Sequence, residues 1–422
     1  MGEKMVIDNR KLYYGILVLI FGPLFIRFFT ENFKMSYAIM PFFDVLCFVL
    51  VTLAIIINHK KIKINFLFFL VIFSLICQLV SLCINGTSGL YNISLSIRPF
   101  YRATFALLLG YLVLNQEDVR NIIKYIEWLL IVNCFVMTFQ YFVLGIDQDI
   151  IGGTFGNSQG VNTIQNILCC SVLIYEVLSF LNKKASFKKL ALITLMDIYI
   201  CALAEITVFF AEIVLIYILA FLLDKSSISF LKKIFLILFG IIFLALGIKL
   251  YLIVFPDRAF LLSYNNALDY LGFNVNAGNT GVYKISRIYP FKQLANMFFN
   301  SNILKLFGLG LGNCSTGSPF YMANDATLHY DWFSSAMIFL ENGYFGVLFY
   351  LLVALYLFIK ACIKSHGETD PTELLWINFV RISIIIDFIL FFYNDSLRTT
   401  YTAYTIGILL SVAFLAKKGT AK

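Results

Sequence analysis

The sequence predicts an all-α polytopic integral membrane protein of about twelve transmembrane helices with one long extracytoplasmic loop. Three observations carry that expectation. The 422 residues are 60% hydrophobic and only 13% charged, where a soluble domain carries about 25% charged residues. Apolar runs of about 20 residues recur from end to end, enough to cross about 30 Å of hydrocarbon. Lysine and arginine collect in alternate connecting segments, as the positive-inside rule requires.

The runs place spans at 12–29, 37–57, 65–84, 97–114, 122–144, 162–181, 190–205, 207–223, 234–255, 333–358, 372–393 and 398–416. The first has a basic flank and no small-residue cleavage site after it, so it reads as a span rather than a signal peptide. The seventh and eighth touch near Glu205–Thr207, and a single long helix there would reverse the orientation of everything downstream. The tenth carries an expected break near Gly343. With the N-terminus in the cytoplasm, the inner segments hold 20 of the 32 lysines and arginines, while the outer loop 145–161 holds none. The alternation persists on both sides of residue 205, which favours splitting spans seven and eight. Both termini are then cytoplasmic.

This organisation divides the chain into 1–255 (spans one to nine), the loop 256–331, and 332–422 (spans ten to twelve), all within one structural domain. A loop this long is usually functional. It reads as short helices ("NALDYLGF", "YPFKQLANMFF") joined by glycine- and asparagine-rich turns, and it is expected to cap a cavity between the helices. The net charge of +8 is a topology signal rather than a nucleic-acid footprint. Seven of the nine cysteines fall in apolar runs and only Cys314 lies in the loop, so neither a disulfide framework nor a metal spacing is present. No P-loop, dinucleotide fingerprint or aspartate-rich nucleotide-sugar motif appears, and no cofactor is expected. A transferase of this kind would draw on a lipid-borne donor.

Candidate chemistry is sparse and sits on the outer side. Arg98 and Arg102 stand four apart on one face of the fourth span. Arg258 follows the ninth span, and Arg287 lies in "KISRIYPF". Guanidinium suits phosphate because its planar fork donates paired hydrogen bonds and keeps its charge. The bland alternative is anchoring at lipid headgroups or pairing with Asp257, Asp269 or Asp325. His329 is the only outer histidine and can take a proton from a hydroxyl near neutrality; the alternative is an interfacial histidine with a satisfied hydrogen bond. Seven acids fall within spans (Asp44, Glu127, Glu176, Asp197, Glu205, Glu212, Asp387), with Lys249 and Arg381 as basic counterparts. Intramembrane charge is a functional hypothesis by default, and a coupled transporter would use such groups. They are scattered over many helices, and no repeated half is visible. The "GLGLG" turn (Gly308 to Gly312) follows no predicted strand and by itself signals only an irregular turn.

The order of these features resembles the bacterial O-antigen polymerase and O-antigen ligase superfamily: twelve spans, a large late outer loop, Arg287 upstream of "GLGLG", then His329, then "ENGYFG" opening a span. "GGTFGNSQGVNTIQNIL" (Gly152 to Leu168) resembles that family's "GTFGNPN"-like lead into a middle span. The resemblance implies a metal-independent glycosyltransferase of the membrane-embedded GT-C type, acting on polyprenyl-diphosphate-linked oligosaccharides at the outer face of the cytoplasmic membrane. It implies His329 as the base on the acceptor hydroxyl, Arg287 and Arg258 on the diphosphate, and Glu341 supporting the segment or His329. It also implies possible flippase and chain-length-regulator partners, and no nucleic acid. The family's serine–arginine pair after the "GTFGN" element is missing here: the region reads "LAEITVFFAE", so Arg98 or Arg102 would supply that charge or the diphosphate grip differs. Within the family a polymerase is favoured over a ligase that moves the finished glycan to lipid A core or another acceptor. A polysaccharide transporter or flippase and a structural partner in an assembly complex are the readings from other classes.

Overall fold

A computed structural model describes residues 9–59, 66–86, 89–146, 148–223, 230–262, 285–314 and 329–415. Among the described residues fourteen α-helices follow one another: α1 Asn9–Phe33, α2 Met40–Ile57, α3 Phe66–Asn85, α4 Leu90–Val113, α5 Gln116–Phe142, α6 Val161–Leu181, α7 Phe187–Leu203, α8 Thr207–Leu223, α9 Phe230–Val254, α10 Pro290–Phe298, α11 Asn302–Phe307, α12 Ser334–Ser365, α13 Pro371–Tyr393 and α14 Ala403–Leu410. No strand occurs among the described residues. Local chemistry starts several of them. Asn115 and Asp118 form a capping box at α5, Ser186 caps α7, and Asp370 caps α13 ahead of Pro371.

Among the described residues, eight helical stretches are long and apolar enough to cross a membrane: Asn9–Phe33, Tyr37–Ile57, Phe66–Asn85, Gln116–Phe142, Val161–Leu181, Ile237–Val254, Ser334–Ser365 and Pro371–Tyr393. Thr207–Leu223 and Ala403–Phe414 are apolar but shorter. The protein is an all-α polytopic membrane protein. Spans seven and eight are separate helices, turned at 204–206, where Glu205 adopts a left-handed φ of 55°. The last expected span, 398–416, starts late. Residues 394–402 form turns because their side chains bond the backbone in place of a helix ladder: Asn394 accepts from Ser396 N at 3.0 Å, and Thr402 Oγ1 donates to the Ser396 carbonyl.

Helix α6 is the centre of one bundle. Some 89% of its apolar stretch is buried, against 28% for those of α2 and α3, so α6 is enclosed by α5, α7, α8 and α13 while α2 and α3 keep an outward face. That face is apolar: Phe42, Phe48, Phe69 and Leu79 are exposed, as suits hydrocarbon rather than water. A second group joins α4 to α14. There Gly407 packs against the α4 backbone at Ala103 and Leu107, and Gly110 against Ser411. Small residues let these helices approach closely.

From residue 285 onward, the described parts of the 256–331 loop lie on α12 rather than apart from it. Phe291 and Phe299 pack on the Phe339 ring with centroids 4.9 and 5.2 Å away. The expected short helix at "YPFKQLANMFF" is α10, whereas "NALDYLGF", "NAGNTG", Asp269 and Asp325 lie outside the described residues.

Candidate functional site

The expected break in α12 is present, and it explains the "GLGLG" turn. Gly343 has φ 60° and ψ −157°, a conformation open in practice only to glycine. The break withdraws the Leu340 and Glu341 carbonyls from the helix ladder. The turn supplies their donors: Leu309 N to Leu340 O at 2.7 Å and Gly310 N to Glu341 O at 3.0 Å. Backbones meet so closely that a Cβ on Gly308 would lie 2.5 Å from Asn342 N, and one on Gly343 2.6 Å from Gly308 N. Gly312 N donates to Glu341 Oε1 at 3.0 Å, and so does Ser96 Oγ of α4 at 2.7 Å. The glycines thus serve backbone contact, and the Glu341 carboxylate ties loop, α4 and α12 together.

Arg98 and Arg102 meet on Asp44 of α2. Arg102 grips it with both edges of its fork, Nε to Oδ1 at 2.6 Å and Nη2 to Oδ2 at 2.9 Å; Arg98 Nη1 adds a bond to Oδ2 at 3.1 Å. Tyr404 of α14 donates to Oδ1 at 2.6 Å. Asp44 is 9% exposed, so four donors offset the desolvation of one buried carboxylate. Arg102 also donates from Nη1 to the carbonyl of Arg398. Arg398, 8% exposed, pairs with Asp395 at 3.1 Å. Asp395 lies outside the helices. Burial pushes its carboxyl up to about 6, with Asp331 adding to the rise while Arg398 and Arg102 pull against it.

His329 precedes the short turn Tyr330–Trp332, and Arg287 packs on Phe333, which follows it. His329 is exposed, holds a left-handed φ of 50°, and stacks on Trp332 at 3.9 Å. Arg287 lies 5.7 Å from the Phe333 ring centroid and 4.4 Å from that of Tyr393. The turn is tied to the arginine cluster: Ser334 N donates to Asn394 O at 2.9 Å, and Ser334 Oγ lies 3.5 Å from Asp395 Oδ1. Arg258 stands at the corner between α7 and α8, paired with Glu205 at 2.7 Å. That corner in turn meets Tyr393 through Thr207, with hydroxyls 3.2 Å apart. The stretch "LAEITVFFAE", which lacks an arginine of its own, therefore has Arg258 beside it.

The "GTFGN" stretch is held by residues that sequence reading passed over. Glu31 of α1 accepts from Asn157 N and Ser158 Oγ, while Arg27 donates to Ser158 Oγ at 2.7 Å and Gln159 O at 3.0 Å. Arg27 also lies over the Tyr401 ring at 4.8 Å. Arg27, Glu31, Asp395, Arg398 and Tyr404 are the missed polar residues. A signal existed for two of them: "NDSLRTTY" is a polar stretch between two apolar runs, with one arginine in it.

The other intramembrane acids form separate local sets. Glu127 and Glu176 meet Lys189 at 2.9 and 2.8 Å. Glu212 accepts from Cys170 Sγ at 3.3 Å, and Asp197 stands beside Cys169. Arg381 donates to Asn378 at 3.3 Å rather than to Asp387. Among the described residues no three His, Cys, Asp or Glu side chains gather as a metal site would require. No family model matches this chain, and no curated protein matches it.

Proposed function

We propose that the chain is a polysaccharide polymerase: a metal-independent glycosyltransferase that moves a glycan from a polyprenyl-diphosphate carrier onto a lipid-linked repeat unit. In this reading it has twelve spans and cytoplasmic termini, and it works at the outer face of a bacterial cytoplasmic membrane. One observation carries the proposal: Arg287 on Phe333 and Tyr393, and Arg102 and Arg398 at the 394–404 stretch, are joined through the Ser334–Asn394 hydrogen bond to the segment that His329 opens, at the edge of apolar helices. A lipid diphosphate needs that combination of positive donors and hydrocarbon-facing surface. Each arginine already engages a carboxylate, a carbonyl or a ring, yet a guanidinium has five N–H donors, so an anion can be held by the remaining ones. Asp44 fixes the direction of Arg102.

His329 takes the proton of the acceptor hydroxyl. The hydroxyl oxygen bonds to the anomeric carbon as the bond from that carbon to phosphate breaks, and the diphosphate leaves against Arg287 and Arg398. Its charge is then met by donors that are already oriented. The exposure of His329 gives a sugar hydroxyl of the lipid-linked acceptor access to it. Arg258 stands where the missing family arginine would be expected, on the far side of Tyr393.

The test is the surface-glycan pattern of cells lacking the protein, complemented with wild type or His329→Ala. Loss of the long ladder with single repeats retained on the normal acceptor supports polymerase action. Because general-base contributions are about 10²–10⁴-fold, His329→Ala should leave only traces of ladder at normal protein levels. Long chains stranded on the carrier would indicate a ligase instead. A full wild-type ladder from His329→Ala would refute the base assignment and bring the transporter reading forward.

A further inference from the structure

A small chamber lies beside the break in α12. Ser74 and Gln78 of α3, Phe100 of α4, Phe307 of α11, and Asn342 and Phe345 of α12 line it. Its void measures about 200 Å³, counting the space at its open side. A site for a drug-sized ligand takes about 300–1,000 Å³, and a water molecule about 30 Å³. Gln78 sits inside the apolar stretch of α3 rather than at its end. Part of the polar lining is paired. Ser74 Oγ donates to the Tyr101 hydroxyl at 2.7 Å, and that hydroxyl donates to Gln78 Oε1 at 3.1 Å. The rest is not. Gln78 Nε2 and both polar atoms of the Asn342 amide have no partner among the described residues, although Gln78 is 4% and Asn342 5% exposed. The two amides share one chamber without bonding each other. Gly346 leaves room for Asn342, since a Cβ there would lie 2.3 Å from the Asn342 Cβ.

We propose that this chamber holds bound water that bridges Gln78 of α3 to Asn342 of α12. The inference stands apart from the glycosyl-transfer reading. Burying an amide without a hydrogen bond is unfavourable, and the cost falls on both amides at once. Gln78 offers N–H donors, and Asn342 offers N–H donors and a carbonyl acceptor. A ligand for this lining must therefore accept and donate. A cation would meet the N–H groups with repulsion, an anion would find no charged donor in the wall, and hydrocarbon would satisfy neither amide. Water does both, and a chamber of this size with polar groups converging on it meets the requirements of a buried water site. The bridge adds a hydrogen-bonded tie at the break. Ser81 and Asn85 of α3 already bond the carbonyls of Phe307 and Gly308, at 2.7 and 2.9 Å. Through the water, α3 also bonds to α12 at the residue before Gly343.

The test uses the full chain in phosphatidylcholine nanodiscs, where lipid keeps bulk water away from α3. Radiolysis turns bound water into hydroxyl radicals that label the side chains beside it. Phe100 is 2% exposed, so its label reports water inside the chamber. Label at Phe100 in wild type, most of it lost in Asn342→Leu, is the expected result. No label at Phe100 in wild type, or label that survives in the leucine variant, overturns the proposal. If Asn342→Leu does not fold, Gln78→Leu serves the same comparison. Unfolding temperatures of the two single variants and the double variant give a second reading. With a bridging water, Asn342→Leu strands the other partners of that water and lowers the temperature. The double variant then loses less than the two single losses together, because one bridge is lost only once. In a dry chamber, Asn342→Leu removes an unpaired amide and raises the temperature, and the two effects add. A raised temperature or additive effects would refute the bridge.

Discussion

Two clusters in this molecule are built from the same chemistry and differ in burial. At the outer end, in the orientation read from the lysines and arginines, Arg98, Arg102 and Tyr404 share Asp44. At the inner end, Glu127 and Glu176 share Lys189. The Asp44 side chain is 5% exposed and that of Arg102 11%, while the Lys189 side chain is 41% exposed. The cation of the second cluster reaches the surface, although Glu176 is as buried as Asp44, whereas both cation and carboxylate of the Asp44–Arg102 pair are buried. The first also uses a bidentate guanidinium, which fixes direction, whereas an ammonium is a point charge on a flexible stem. The lesson is that the Asp44 cluster is an oriented device and the Lys189 cluster an anchor.

The largest test of that contrast is Asp44→Asn. It leaves Arg102 buried without a counter-charge, and breaking a buried pair in this way costs about 3–5 kcal/mol. A markedly lower unfolding temperature in detergent, partly restored by Asp44→Glu, is the expected outcome. An unchanged temperature would mean that Asp44 is not the hub. Next comes Gly343→Ala, at the break that orients Glu341 and the "GLGLG" turn. A left-handed, strained backbone costs about 1–3 kcal/mol for a side chain there, and the added Cβ must also displace the turn. Reduced thermal stability with loss of ladder synthesis is expected, whereas Gly367→Ala, with open space around its Cβ, should show only the backbone cost.

The third test sharpens the electrostatic side. The Asp395 carboxyl is raised to about 6, burial being the main cause. Its folded value lies above its unfolded value, so the stability it contributes is present at low pH and is lost as pH rises from about 4 through 6. Below about pH 6 the protonated carboxyl also stops competing for Arg398. Binding of a lipid phosphate should therefore tighten as pH falls from 7 to 5, and Asp395→Asn should flatten that dependence. A pH profile identical in the variant would separate Asp395 from the anion site. The smallest effect belongs to the Lys189 cluster. Glu127→Gln leaves Lys189 paired with Glu176, and a half-exposed pair contributes about 0–1 kcal/mol. A shift in unfolding temperature near the limit of detection is expected, shrinking further in high salt. A loss comparable to that of Asp44→Asn would erase the distinction between the two clusters.

Much of the architecture was legible from residues alone. Apolar runs gave the long helices, glycine gave the break at Gly343, and the basic residues gave the division near Glu205. The site was legible only in fragments. Arg98 and Arg102 were visible as an i, i+4 pair, but their anchor Asp44 lies 54 and 58 residues away. Arg27 looked like part of an apolar span, yet its partner Ser158 is 131 residues distant. Arg398 was passed over because its polar stretch resembled the start of another span.

The sequence by itself determined that this is a polytopic helical membrane protein, because length, hydropathy and charge act over short windows and the hydrocarbon layer admits few solutions. Which arginine meets which carboxylate was decided only by the tertiary structure. A guanidinium buried at a helix junction takes whatever acceptor the packing delivers, and packing joins residues with no relation in the order of the chain. The clearest case is Tyr404, whose hydroxyl reaches Asp44 across 360 positions because α14 lies along α4.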